Sequence, residues 1–349
     1  MKNEFIPDYR HIVDAAWNRE AKRMPLYEHA VDDSIMETVL SKEVVPLYNG
    51  GFSDKVEYFR RRAEFFCHMG YDTVFYDGCI GSIMPGNGSL GGHKKGEIQT
   101  MDDFLRYPWQ EIPELYFKQY SNDFKALRNS MPSGMKAVGG VGNGIFECVQ
   151  EIVGYTDLCF ISADDPELYK LLFQKVGETN IKIWSMFLTE FSDIFCLLRF
   201  GDDLGYKSST LLSADDIQSF IIPKYKGIID LVHSYDKPFL FHCCGWIFNI
   251  MDELIAIGID AKHSNEDQIA PFPEWVHRYG DKIGNFGGID TDAVCRLDEV
   301  EMRDYIYNVL DQCNGHGGIA FGSGNSIPKY VPVDQYLTMI DIARKYRGE

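Results

Sequence analysis

Short apolar runs, each too brief for a helix, recur along this chain with stretches of helical period between them. No other feature limits the fold as tightly. The candidate strands span 24–27, 73–76, 136–138, 195–200, 238–242, 259–263, 283–286 and 318–321, eight runs in all. Helix signals fall between them. Asp165 followed by Pro166 reads as an N-cap with proline at the first helical position. Ser213 opens another helix, and Asp298 with Glu301 forms a capping-box variant. The run from Asp334 places Tyr336, Leu337 and Ile340 on one face. Strands that alternate with helices pair in parallel, because a parallel pair needs a long crossover. Eight such units predict an α/β protein of the (β/α)8 TIM-barrel type. No Gly/Ser or Pro linker divides the 349 residues, so a single barrel domain is expected over 1–349. It carries an N-terminal helical arm over 1–22 and a long insertion over 78–115 after an early strand. Within that insertion, His93 and Lys94-Lys95 lie in a Gly-rich stretch that reads either as a lid or as a solvated loop.

Composition narrows the function. Hydrophobic residues make up 45% and charged residues 25%, which is ordinary for a globular chain. Acids outnumber bases 52 to 34 for a net charge of −18, the wrong sign for a nucleic-acid binder. No apolar run reaches the roughly eighteen residues that a membrane span needs. The opening residues lack both a signal peptide's apolar stretch and a transit peptide's arginines, so a cytoplasmic protein is expected. Nine thinly spread cysteines read as free thiols rather than a disulfide framework.

In such a barrel, chemistry collects at the C-terminal ends of the strands. Those ends carry Asp77, Asn143, Asp202-Asp203, His242-Cys243-Cys244-Gly245, His263 through Glu266, Asp290 and Ser323-Gly324-Asn325. Loops that cap helices are polar in any case, so no single one of these residues decides the matter. The stretch around His242 is the most informative. Side chains alternate along a strand, so His242 and Cys244 project together. An imidazole beside a thiolate suits zinc, although a buried histidine next to a buried free thiol has the same spacing. Glu266, just past the next strand, is placed to reach the same cavity. A His, Cys and Glu set leaves the fourth position open, as catalytic zinc requires. Asp202, Asp203 and Asp290 are candidates for proton transfer or for orienting ligands, and Asp77, Asn143, Ser323 and Asn325 for substrate contact.

The H-x-C-G run at His242–Gly245 resembles that of the uroporphyrinogen decarboxylase/methyltransferase superfamily. The likeness continues through Tyr279-Gly280-Asp281, Gly287-Gly288-Ile289-Asp290-Thr291 and Gly322-Ser323-Gly324-Asn325-Ser326-Ile327-Pro328. The resemblance implies a (β/α)8 barrel. The decarboxylases carry an arginine-rich N-terminal motif for their substrate's carboxylates. The matching place here, residues 24–30, has no arginine and an acid at Glu28. This favours the methyltransferase branch, similar to methylcobalamin:coenzyme M methyltransferases and corrinoid-dependent O-demethylases. That branch implies zinc held by His242, Cys244 and Glu266, a corrinoid (cobalamin) carried by a partner protein, a methyl ether or thiol as small-molecule substrate, and a homodimer by analogy. Several relatives supply a later cysteine where this chain has Ser323. The alternatives are a decarboxylase-type lyase acting on a tetrapyrrole, with Asp77 stabilising its protonation, and a non-catalytic barrel that binds a metal or tetrapyrrole.

Overall fold

The computed structural model describes residues 5–86 and 95–349; His93 and Lys94 of the expected lid lie outside the described residues. Seven strands form one sheet: β1 (Thr73–Cys79), β2 (Lys136–Gly142), β3 (Phe195–Gly201), β4 (Phe239–His242), β5 (Ala261–His263), β6 (Gly284–Ile289) and β7 (Ile319–Ser323). They lie in sequence order and every pairing is parallel. Helices provide the crossovers. Asp165 caps the helix Pro166–Phe191 by accepting from the Leu168 N–H at 3.0 Å, and Asp298 caps Glu299–Cys313.

The eight-stranded barrel is corrected at its first strand. Residues 24–27 make one parallel bridge, Leu26 to Phe321, closed by Tyr27 N–H to the Phe321 carbonyl (2.8 Å) and Phe321 N–H to the Pro25 carbonyl (2.9 Å). Among the described residues this segment has no ladder with β1. Pro25 has no N–H to offer, and so short a run leaves few other donors. The architecture is therefore a seven-stranded parallel sheet, curled in the manner of a TIM-like barrel. The curl is visible in the side chains: Arg199 of β3 pairs with Asp77 of β1 and touches His29, and His29 stacks on His242 of β4 with ring centres 3.7 Å apart.

Alternation sorts the faces. Leu240 and His242 point inward from β4, while Phe239 and Phe241 pack outward near Phe200 and Tyr225. The N-terminal helical arm contributes the helix Arg10–Ala16, which fills the bottom of the interior. Its Ile12, Ala15 and Ala16 form one buried cluster with Tyr27, Val138, Leu197, Leu240, Ala261, Phe286 and Ala320. The approach is close enough that a Cβ on Gly318 would lie 2.1 Å from the Ala15 carbonyl oxygen. In the expected insertion, Thr100 and Asp103 form a capping box that starts the helix Met101–Arg106, and Ile112–Arg128 follows. No helix among the described residues is long and apolar enough to cross a membrane.

Candidate metal centre

Parallel register sets His242 directly beside His263. Both rings face the interior above Leu240 and Ala261, and their Nδ1 atoms are 2.7 Å apart. His263 Nε2 lies 3.1 Å from the Ser323 carbonyl oxygen. On the other side of His242, its Nε2 is 3.5 Å from Cys244 Sγ and 3.9 Å from Asp203 Oδ1. The ligand atoms of Asp203, His242 and Cys244 all lie within 4.8 Å of one another. The turn after β4 makes this possible. Gly245 sits at φ 83°, and a Cβ there would be 2.4 Å from the Gly205 carbonyl carbon, so the chain after Cys244 presses against the loop that carries Asp203. The Cys244 N–H donates to Asp203 Oδ1 at 2.9 Å and locks the two together.

Electrostatics keep the imidazoles neutral and the thiol protonated. Burial, with Arg199 and the neighbouring imidazoles, holds His242 and His29 well below the ordinary histidine value, and burial brings His263 to about 3. Burial and the Asp203 carboxylate push the Cys244 thiol well up. Two donors are nevertheless aimed at that sulfur, Asn325 Nδ2 at 3.3 Å and Ser264 Oγ at 3.7 Å. A sulfur that accepts two hydrogen bonds beside a carboxylate is suited to thiolate once a cation offsets the charge. Imidazole nitrogen, sulfur and carboxylate oxygen are also the donor types that divalent zinc takes. The residues present fit a metal ion.

The group opens toward the barrel mouth, where the Asp203 side chain is 45% exposed. Beside it is a cavity of about 590 Å³ lined by Lys207, Glu266, Asp290, Arg296, Asn325 and Tyr330 among others. Asn325 belongs to both. The sequence profile described as Uroporphyrinogen decarboxylase (URO-D) matches residues 96–346. The chain belongs to the URO-D family. Among solved structures, a methyltransferase from Methanosarcina mazei superposes with a TM-score of 0.69, covering 96% of this chain and 98% of that one. At 12% identity that likeness shows the fold alone. A Sinorhizobium meliloti protein (TM-score 0.39, 10% identity, 90% and 97% covered) and 3-keto-D-glucoside 4-epimerase from E. coli (0.37, 11%, 92% and 98%) score too low to carry an argument. No curated protein matches the sequence significantly. The URO-D match includes Asp203, His242, Cys244, Glu266 and Ser323, whereas Glu28, His29 and Asp77 precede it.

Within this URO-D fold the residues expected from sequence separate into three sets. His242, Cys244, Asp203 and Asn325 come together. Glu266 and Asp290 stand on the cavity wall, and Glu266 is not within the 4.8 Å group among the described residues. Asp290 also caps the helix Thr291–Arg296 through the Asp292 N–H (2.8 Å) and accepts from the Asp267 N–H (2.7 Å). The remainder brace the scaffold. Asp202 is fully buried and accepts from the Phe146 and Glu147 N–H groups (2.9 and 2.8 Å) and the Tyr225 hydroxyl. Asn143, at φ 63°, donates to Glu147 Oε2 at 2.7 Å and accepts from the Gly81 N–H at 3.3 Å. Asp77 is paired with Arg199, and Ser323 donates its hydroxyl to Glu28 Oε2 at 2.5 Å.

Sequence reasoning missed His29 and Arg199 and gave Glu28 no role. Glu28-His29 follows the first apolar run as the other polar ends follow theirs. Arg199 is a charge inside the otherwise apolar strand β3, and a buried charge in such a run was its signal.

Proposed function

We propose that this URO-D family protein is a zinc-dependent methyltransferase that moves a methyl group between a small substrate, a methyl ether or a thiol, and a corrinoid carried by a partner protein. The observation that carries this reading is the convergence of His242 Nε2, Cys244 Sγ and an Asp203 carboxylate oxygen beside an open cavity at the strand ends. The M. mazei neighbour is named a methyltransferase, and residues 24–30 lack the arginines that a polycarboxylate substrate requires.

In this reading the third ligand place goes to Asp203, and Glu266, expected there from sequence, takes the cavity wall. Zinc, when bound, polarises an ether oxygen or lowers the pKa of a thiol. Asn325 Nδ2 and Ser264 Oγ orient the Cys244 sulfur. Burial, Asp290 and Asp203 raise the Glu266 carboxyl, which suits it to hold a proton for a leaving oxygen. Asp290 holds polar substrate groups beside it, and Arg296 and Lys207 limit the negative charge of the wall. The lyase alternative needs Asp77 free for substrate, and that carboxylate is buried against Arg199.

Zinc per chain in the wild type and in the His242→Ala and Cys244→Ser variants tests the assignment. One zinc in the wild type, lost from both folded variants, is expected, together with methyl transfer from methylcobalamin to a thiol or from an ether to cob(I)alamin. Zinc retained in both variants, or a zinc-free wild type that decarboxylates a porphyrinogen, sinks it.

A further inference from the structure

We propose that His263 is a positioning residue that sets the tautomer of His242, so that a bare Nε2 faces Cys244 and Asp203. This deepens the metal-centre reading above. One chain of atoms fixes both protons. The Ser323 carbonyl oxygen accepts and cannot donate, so His263 Nε2, 3.1 Å away, carries the proton. A neutral imidazole has one N–H, which leaves His263 Nδ1 a lone pair. That lone pair faces His242 Nδ1 at 2.7 Å, so His242 Nδ1 carries the second proton. His242 Nε2 is then the free lone pair, and it is the atom 3.5 Å from Cys244 Sγ.

The reverse arrangement sets two lone pairs against each other. If His242 carried its proton on Nε2, His263 would have to donate from Nδ1, and its bare Nε2 would face the Ser323 carbonyl. His263 is fully buried, so bulk solvent does not reach that clash.

The carbonyl is itself held in place. Glu28 accepts from the Ser323 N–H at 3.2 Å and from its hydroxyl, and Tyr71 donates to Glu28 at 3.2 Å. Glu28 therefore anchors the residue on which the tautomer chain ends, and the Gly324 N–H, in the same peptide group as that carbonyl, donates to the Ile289 carbonyl at 2.6 Å. A histidine ligand whose other nitrogen is engaged in this way has a fixed ring orientation and a stronger donor.

The full-length, metal-free chain labelled with ¹⁵N-histidine gives the direct test. Long-range ¹H–¹⁵N correlation spectra report which ring nitrogen carries hydrogen. His242 in the Nδ1–H form and His263 in the Nε2–H form are expected; His242 in the Nε2–H form overturns the proposal. Zinc titration against a chelating indicator gives the second arm. His263→Leu removes the acceptor and should weaken zinc by about 10–100-fold. His263→Asn keeps a side-chain oxygen near the Nδ1 position and should recover most of the loss. A folded His263→Leu protein with wild-type affinity, or an Asn variant as weak as Leu, overturns it. If His263→Leu does not fold, the wild-type spectra decide alone. Expected tautomers in a wild type that binds no zinc would remove the metal reading and leave this inference standing.

Discussion

Glu28 shows how much one residue can carry. Burial lifts its carboxyl to about 8, so the folded protein keeps it neutral where a free glutamate would ionise. The folded value is raised above the ordinary one of 4.5, so its contribution to stability is intact below that value. It is lost as pH rises toward about 8, at up to about 1.4 kcal/mol per pH unit. Urea melts at pH 5, 7 and 9 should show this slope in the wild type and a flatter one in Glu28→Gln; identical slopes would refute the assignment. His242 and Cys244 were legible from the sequence as an imidazole and a thiol two residues apart at a strand end, although β4 stops at His242 and it is the turn that brings Cys244 beside it. Asp203 was legible as a polar strand end but not as their partner, since it lies 41 positions before Cys244 and only the packing of two loops brings them together. His29 and Arg199 stayed hidden because their partners come from different strands.

At the scale of elements, polar residues at strand ends divide between chemistry and scaffolding. Asp202 is next to Asp203 in sequence yet faces another way, holding the start of the helix Ile145–Val153. Asp202→Asn keeps one acceptor oxygen and sets an amide N–H₂ against a buried donor. It should cost about 1–3 kcal/mol by urea unfolding, with zinc per chain unchanged. Gly245→Ala should do the opposite in kind. A side chain at positive φ, driven into the Gly205 backbone, moves the Asp203 loop away from Cys244, so zinc binding is lost along with about 2 kcal/mol of stability. The later seven strands were readable because apolar runs bounded by turn residues are a local signal. The fate of residues 24–27 was not, because periodicity is silent on which hydrogen bonds an edge will form, and Pro25 subtracts one of them.

For the whole molecule, the sequence pointed to an arm before the sheet, but no pattern in Arg10–Ala16 tells where such a helix will dock. Its place beneath the interior follows from small residues on both sides, Ala15 and Ala16 against Gly284 and Gly318. Ile12→Ala should therefore cost about 3 kcal/mol, like a truncation in any packed core, although the position is twelve residues from the start of the chain. A melt within 0.5 kcal/mol of wild type would show that the arm is dispensable. With that end stopped, the described residues leave the metal centre open on the side of Asp203. Under the proposed methyl transfer, two reactants that meet there enter in turn, and a bulky partner seated on the threshold shuts the smaller molecule in until it departs. On that reading queueing follows from the shape of the vessel, and each reactant in excess should obstruct the other.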